Sequence, residues 1–213
     1  MVMSASPETM HPPAIILAGG KSSRMGSDKA GLSLAGRTLL EHVVRRLAPQ
    51  VAAIAVNAPH PVTSVMHLPH VPDRIEGQLG PLAGILTGMA YLAGKDHRIS
   101  HVLSVPCDSP FLPLDLVQRL MDTKPDPQTI VVASSANRRH PVFALWPTTL
   151  AADLEHWLEL DDNRRINAYI DRHQSVTVEF DPIQTSQGIL DPFFNINSPD
   201  DLARAERFAE VLA

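Results

Sequence analysis

The five apolar residues Ala14-Ile15-Ile16-Leu17-Ala18 stop abruptly at Gly19-Gly20. A run without polar alternation suits a strand buried on both faces, and such strands belong to parallel sheets covered by helices. The rest of the chain alternates accordingly. Thr38 to Leu47 carries apolar residues at 39, 40, 43, 44 and 47, the helical period, behind the capping box Thr38-x-x-Glu41. Val51 to Val56 reads as a second buried strand ending at Asn57. Leu82, Ile85, Leu86, Met89 and Leu92 read as a helix after the turn Gly80-Pro81, and Val102 to Val105 as a strand stopped by Pro106-Cys107-Asp108. Pro113 is expected to open a helix with Leu114, Val117, Leu120 and Met121 inward.

The second half continues the pattern. Ile130 to Ala133 and Val142 to Trp146 read as strands joined by a basic turn, Asn137-Arg138-Arg139. Leu150, Leu154, Trp157 and Leu158 mark one helix, and Ile166, Tyr169 and Ile170 a shorter one. Val176, Val178 and Phe180 suggest a strand with one solvated face. Ser198 is expected to cap a last helix that starts at Pro199 and turns Leu202, Ala205, Ala209 and Leu212 inward. These elements predict an α/β protein of three layers, α/β/α, around a mostly parallel central sheet. Residues 1–13 are expected to form a flexible N-terminal arm and residues 14–213 a single domain.

Composition narrows the function classes. With 213 residues, 44% hydrophobic and 19% charged, the chain can bury a sizeable core. Lys and Arg number 18 against 23 Asp and Glu, so a nucleic-acid-coating role is not expected. Cys107 is the only cysteine, which excludes a disulfide framework and a multi-cysteine metal cluster. No apolar run approaches the roughly 18 residues of a membrane helix. No Lys or Arg precedes Lys21, so a secretory or transit segment is not expected, and the cytoplasm is the expected location.

Ligands of open α/β sheets sit beyond the carboxyl ends of strands. Here that rule selects Gly19 to Gly36, Asn57, Asp108 and the turn Asn195 to Ser198. Between Gly19 and Thr38 lie 18 residues with glycines at 20, 26, 31 and 36, far longer than an ordinary connection. Four cations (Lys21, Arg24, Lys29 and Arg37) stand there against one acid, Asp28. Glycines let backbone N–H groups turn toward a phosphate, which the cations neutralise. The P-loop motif fails, because Ile15 occupies the place of its first glycine. The dinucleotide fingerprint fails too, since Gly19-Gly20 runs into Lys21-Ser22-Ser23, so dehydrogenase chemistry loses its support.

The segment Leu17-Ala18-Gly19-Gly20-Lys21-Ser22-Ser23-Arg24-Met25-Gly26, followed by Asp28-Lys29, resembles the signature loop of nucleotidyltransferases that activate small phosphorylated molecules with an NTP. Four later blocks add to the likeness: Gly80-Pro81-Leu82-Ala83-Gly84, Pro106-Cys107-Asp108-Ser109-Pro110-Phe111, His140-Pro141-Val142-Phe143-Ala144, and Phe194-Asn195-Ile196-Asn197-Ser198-Pro199. Within the superfamily the chain is most similar to the molybdenum cofactor guanylyltransferases, over about residues 14 to 212. The resemblance implies a Rossmann-like nucleotidyltransferase fold.

It also implies roles for particular residues. Asp108 follows a buried strand between two prolines, where a carboxylate can take Mg²⁺. By resemblance Asp108 is the magnesium ligand, and Arg24, Lys29 and Asp108 are the catalytic set. Leu17, Ala18, Gly19, Gly20, Lys29, Asn57, Asp73 and Asp108 are implied to bind the nucleotide. Gly84, Arg165, Asn195 and Asn197 are implied on the side of the cofactor substrate, with Arg164 able to replace Arg165. Asn195 and Asn197, two apart, would share one face of an extended segment, while Phe194 and Ile196 share the other. That segment runs into a helix start, which favours anions. The pairs His67-x-x-His70 and His97-x-x-x-His101 have no acidic or cysteine companion and do not predict a zinc site.

The implied reaction joins GTP to the terminal phosphate of molybdopterin (Mo-molybdopterin in the cell), with pyrophosphate leaving and Mg²⁺ as the cofactor. The nucleophile is already an anion, so alignment and charge neutralisation suffice without a general base. Transient contact with proteins that deliver the cofactor or mature molybdoenzymes is expected, and contact with nucleic acid or membrane is not. Two other readings remain: a cytidylyltransferase or sugar-phosphate nucleotidyltransferase of the same superfamily, and a nucleotide-binding adaptor without turnover.

Overall fold

The computed structural model describes residues 11–19, 29–75, 77, 79–160 and 164–212, apart from the Lys29 side chain. The strand β1 (Ala14–Leu17) is followed by the short strands β2 (Ser33–Leu34) and β3 (Arg37–Thr38), then by helix α1 (Leu39–Leu47). β4 (Ile54–Asn57), β5 (His70–Val71), α2 (Pro81–Ala93), β6 (His101–Pro106) and α3 (Leu116–Met121) complete the first half. β7 (Ile130–Ser135), β8 (Arg138–Pro147), α4 (Ala151–Leu160), α5 (Ile166–Ile170), β9 (Ser175–Glu179), β10 (Ile183–Thr185), β11 (Gly188–Leu190) and α6 (Pro199–Leu212) form the second.

Seven strands make the central sheet in the order β5-β4-β1-β6-β8-β7-β9. Every pairing is parallel except the two made by β8, which runs against both β6 and β7. The sheet is therefore mostly parallel, as expected. Successive β1 side chains go to opposite faces. Ala14 and Ile16 pack with Leu40, Val43 and Leu47 of α1 and with Val117 and Leu120 of α3. Ile15 and Leu17 pack with Leu82, Ile85 and Met89 of α2 and with Leu154 and Leu158 of α4. These two apolar layers, one on each face, give the three-layer α/β/α arrangement.

Local chemistry explains most boundaries. Thr38 Oγ1 accepts from Glu41 N at 3.2 Å while Glu41 Oε2 accepts from Thr38 N at 2.7 Å, so the expected capping box closes. Pro81 opens α2 where its missing N–H costs nothing. On the inner side of α2, a Cβ at Gly88 would lie 2.6 Å from Ile15 Cβ, so glycine lets the helix press onto β1.

Several expectations need correction. Pro12 and Pro13, assigned to a loose arm, are buried, and their carbonyls accept from Ala52 N and Leu103 N; residues 1–10 lie outside the described residues. The second strand starts at Ile54 rather than Val51. α3 starts at Leu116, because Pro113 O is engaged by Gln50 Nε2, and Leu114 stays outside, 65% exposed. The β7–β8 turn is Ala136-Asn137, both left-handed at φ 49° and 61°, which suits the twist of a two-residue hairpin. Arg138 and Arg139 are accordingly strand residues. On α6 the buried residues are Ala205 and Phe208, whereas Leu212 lies outward. β9 is an edge strand with Val176 exposed and Val178 partly buried, so neither face is fully covered. Among the described residues no helix is long and apolar enough to cross a membrane.

Candidate functional site

The strand ends β4, β1 and β6 lie side by side, and two backbone bonds past their last pairs hold them in register. Ala18 N donates to Asn57 O at 2.8 Å, and Cys107 N donates to Leu17 O at 3.1 Å. Leu17, Ala18 and Gly19 therefore run between Asn57 on one side and the Cys107-Asp108 turn on the other.

Asn57, only 5% exposed, uses both amide protons. Its Nδ2 donates to Asp73 Oδ1 at 2.9 Å and to Val71 O at 3.1 Å. A buried amide so pinned presents Oδ1 as its acceptor. Two glycines border that oxygen. A Cβ on Gly84 would sit 2.4 Å from it and 2.7 Å from Leu17 Cδ2, whereas a Cβ on Gly19 would lie at 3.8 Å, an ordinary contact. Gly84 is thus close-packed against the Asn57 side of the site. The structure brings together Leu17, Ala18, Gly19, Asn57, Asp73 and Gly84 as one unit.

Asp108 begins a second unit. Its carbonyl accepts from Ile196 N at 3.0 Å, and the neighbouring Ser109, fully buried, donates Oγ–H to Asn195 Oδ1 at 2.6 Å. Phe194 and Ile196 join the apolar cluster of Leu34, Leu39, Phe111 and Phe208, as the alternation predicts, while Asn195 turns to Ser109. The start of α6 is occupied from within. Asp201 Oδ2 accepts from Asn197 N at 3.0 Å and from Ser198 Oγ at 2.8 Å. Burial works against the Asp201 carboxylate, yet these bonds outweigh it and hold its pKa below the ordinary value. With Asp200 and Asp201 in its first turn, this helix end attracts an anion less than the sequence suggested.

The Asp108 carboxylate is a hard oxygen donor of the kind Mg²⁺ takes, whereas the Ser109 hydroxyl and the Asn195 amide oxygen are engaged with each other. Among the described residues no group of three or more His, Cys, Asp or Glu side chains is placed to hold a metal. Neither His70 nor His101 is placed as a zinc ligand, since both ring nitrogens of each have hydrogen-bond contacts with other groups. Arg165 is the N-cap of α5, next to Arg164, and both are exposed. Gly20, Arg24 and the Lys29 side chain lie outside the described residues. Sequence reading missed Ser109 as the partner of Asn195, although it stands inside a quoted block; its signal was a hydroxyl next to the candidate metal ligand.

Comparison with known proteins identifies the family of the chain. The family described as MobA-like NTP transferase domain matches residues 14–176. The molybdenum cofactor guanylyltransferase of Rhizobium meliloti strain 1021 is 52% identical, over 94% of this chain and 93% of that protein. The protein of the same description from Rhodopseudomonas palustris strain BisB5 is 44% identical, over 98% of each. Among solved structures, the molybdopterin-guanine dinucleotide biosynthesis protein A of Archaeoglobus fulgidus superposes with a TM-score of 0.69 at 20% identity, over 93% of this chain and 98% of that one. The 2-C-methyl-D-erythritol 4-phosphate cytidylyltransferase of Thermus thermophilus has a TM-score of 0.62 at 21% identity, over 95% and 100%. At such identities the likeness is one of fold.

Proposed function

The chain belongs to the MobA-like NTP transferase family, and from that premise we propose that it transfers GMP from GTP to the terminal phosphate of molybdopterin. An acceptor phosphate oxygen attacks the α-phosphorus, the bond to the β-phosphate oxygen breaks, and pyrophosphate departs. The product is the guanine dinucleotide form of the cofactor. One observation carries the reading: the backbone bonds to Asn57 and from Cys107 fix the end of β1 between an amide floor and a carboxylate turn. An acceptor able to recognise a base and a carboxylate able to take a cation, on either side of a glycine strand end, support that reading.

The floor supplies recognition. Asn57 Oδ1 offers an acceptor, and guanine presents N1–H and the 2-amino group as donors. The missing side chain at Gly19 leaves room for a ring to approach that oxygen, while glycine at 84 lets α2 pack closely against Asn57. At the carboxylate turn, Asp108 would hold Mg²⁺ together with phosphate oxygens, and the ion would neutralise charge on the triphosphate. Asn195, oriented by Ser109, and Asn197 would meet the acceptor phosphate without adding repulsive charge. Arg24 and Lys29 would balance the charge that develops on the departing pyrophosphate.

The test is direct: purified protein, molybdopterin and Mg²⁺ are mixed with each NTP, and products are identified by mass. A molybdopterin guanine dinucleotide with one pyrophosphate per turnover is expected. Bound GTP without pyrophosphate release would convert the reading to an adaptor.

A further inference from the structure

A second polar cluster stands at the tip of the β7–β8 hairpin, away from the Asn57 floor. Ser135, the last residue of β7, and His140 are 1% and 6% exposed. Buried polar groups are costly unless they are bonded, so their partners are informative. Ser135 Oγ lies 2.8 Å from Asp191 Oδ1 and 2.7 Å from His140 Nε2. His140 Nε2 is 3.9 Å from Asp191 Oδ2.

The three residue types are those of a hydrolytic triad, but the protons run the wrong way. An ionised Asp191 can only accept, so the single Ser135 proton points to it. The contact with His140 Nε2 then needs its proton on nitrogen. Burial lowers the pKa of His140, opposed by Asp191 and aided by Arg138, so the neutral ring with Nε2–H fits the arrangement. In a hydrolase the serine must give its proton to the imidazole. Here the cluster is built to hold something.

What it holds is the segment carrying the asparagines. Asp191 Oδ1 also accepts from Phe193 N at 2.9 Å. The Phe193 ring lies against His140 and Phe143, with centroids at 4.6 and 4.7 Å, and meets Phe180 edge-on at 5.2 Å. Two residues further on, Ser109 takes Asn195 and Asp108 O takes Ile196 N. The segment is thus pinned at one end by the hairpin and at the other by the Asp108 turn.

We propose that Ser135 and His140 are positioning residues for the acceptor substrate: through Asp191 and Phe193 they set where Asn195 and Asn197 stand relative to Asp108. The proposal rests on the functional reading above, in which those asparagines serve the acceptor phosphate. It separates the two substrates, because β1 and β6 stand between β8 and the Asn57 floor in the sheet order.

The experiment compares wild type, Ser135→Ala, His140→Ala and His140→Gln, the last retaining an N–H donor. Ser135→Ala is expected to raise the KM for molybdopterin about 10-fold, the usual effect of one lost hydrogen bond, with the KM for GTP within about 2-fold of wild type. His140→Ala is expected to shift both readouts in the same direction as Ser135→Ala, and His140→Gln, which restores the N–H donor, to bring them back toward wild type. Amide hydrogen exchange, which needs no turnover, is expected to quicken at Phe193 and Ile196 in Ser135→Ala and to stay unchanged at Ile15 and Ile16. If Ser135→Ala does not fold, Asp191→Asn carries the same two measurements, with the same directions expected. Unchanged exchange at Phe193 and Ile196, or equal rises in both KM values, would overturn the proposal. A wild-type protein that makes no dinucleotide would instead overturn the functional reading, and exchange alone would then decide the clamp.

Discussion

Ser109 and Asn195, 86 residues apart, are joined by a 2.6 Å hydrogen bond in which the buried hydroxyl donates to the amide oxygen. That bond fixes the amide's direction: the oxygen faces Ser109 and the NH₂ group faces away, as a donor should if it is to meet a phosphate. Ser109→Ala is expected to lower stability by about 1 kcal/mol, the net worth of an ordinary hydrogen bond. It is also expected to reduce turnover with molybdopterin more than GTP binding. Denaturant titration and calorimetric GTP binding check the two parts.

Asp108→Asn keeps the shape of the turn, including the backbone bond to Ile196 N, and removes the charge assigned to magnesium. Turnover is expected to fall by at least roughly 10²-fold with the fold retained. A folded Asp108→Asn protein running at the wild-type rate would remove Asp108 from the metal.

Gly84 and Gly19 border the same Asn57 oxygen with different amounts of room, and that difference makes two contrasting variants. A methyl at Gly84 meets Asn57 Oδ1 at 2.4 Å and Leu17 Cδ2 at 2.7 Å, so Gly84→Ala is expected to cost about 1 to 3 kcal/mol through overpacking. A methyl at Gly19 finds its nearest neighbour at 3.8 Å. Gly19→Ala is therefore expected to melt near wild type, and a change in base preference would report on the ligand rather than the fold.

Base choice itself is measured by competition between equal GTP and CTP. Wild type is expected to favour GTP by about 10-fold. Guanine brings two adjacent donors, N1–H and the 2-amino group, where cytosine has only its 4-amino group, and a lost hydrogen bond forfeits about 1 kcal/mol. Gly19→Ala is expected to weaken GTP use more than CTP use. Dominant CTP incorporation by wild type would move the assignment to a cytidylyltransferase activity.

Stability should also depend on pH through His101, whose pKa is lowered chiefly by burial, against the opposing bond to Thr129 O and the charge of Asp126. The unfolded chain therefore takes up this proton first, near about pH 6.5. The contribution is complete above that pH and declines as the pH falls through it toward the lower folded value. Urea unfolding at about pH 8 and about pH 5.5 is expected to show the loss, and His101→Gln is expected to diminish it.

Much of the fold could be read from the chain because its signals are local. The apolar run at β1, the Thr38-Glu41 box and Pro81 each act within a few residues, and each marks its element correctly. Errors arose where a distant partner decided. Gln50 holds Pro113 O and so delays α3, and Phe208 rather than Leu212 faces inward because Phe111 and Phe194 meet it edge-on. The candidate site divides the same way. Asn57 and Asp73 were visible as strand-end residues, but their mutual bond was not, because it depends on β5 pairing beside β4. Ser135 gave no signal of its own, since its partner Asp191 is 56 residues away.

The reversed strand β8 divides the labour of this sheet. On one side, β5, β4, β1 and β6 carry the Asn57 floor and the Asp108 turn in an unbroken parallel array. On the other, β7 and the hairpin tip bond to Asp191, which leads into the asparagine segment. On the proposed reading, a seam of this kind makes the two halves separately editable: the half assigned to the acceptor can be remodelled for a new phosphorylated partner while the strand ends assigned to the nucleotide stay as they are. Exchanging residues 130–198 between relatives of this fold would then transplant acceptor choice and leave base choice behind.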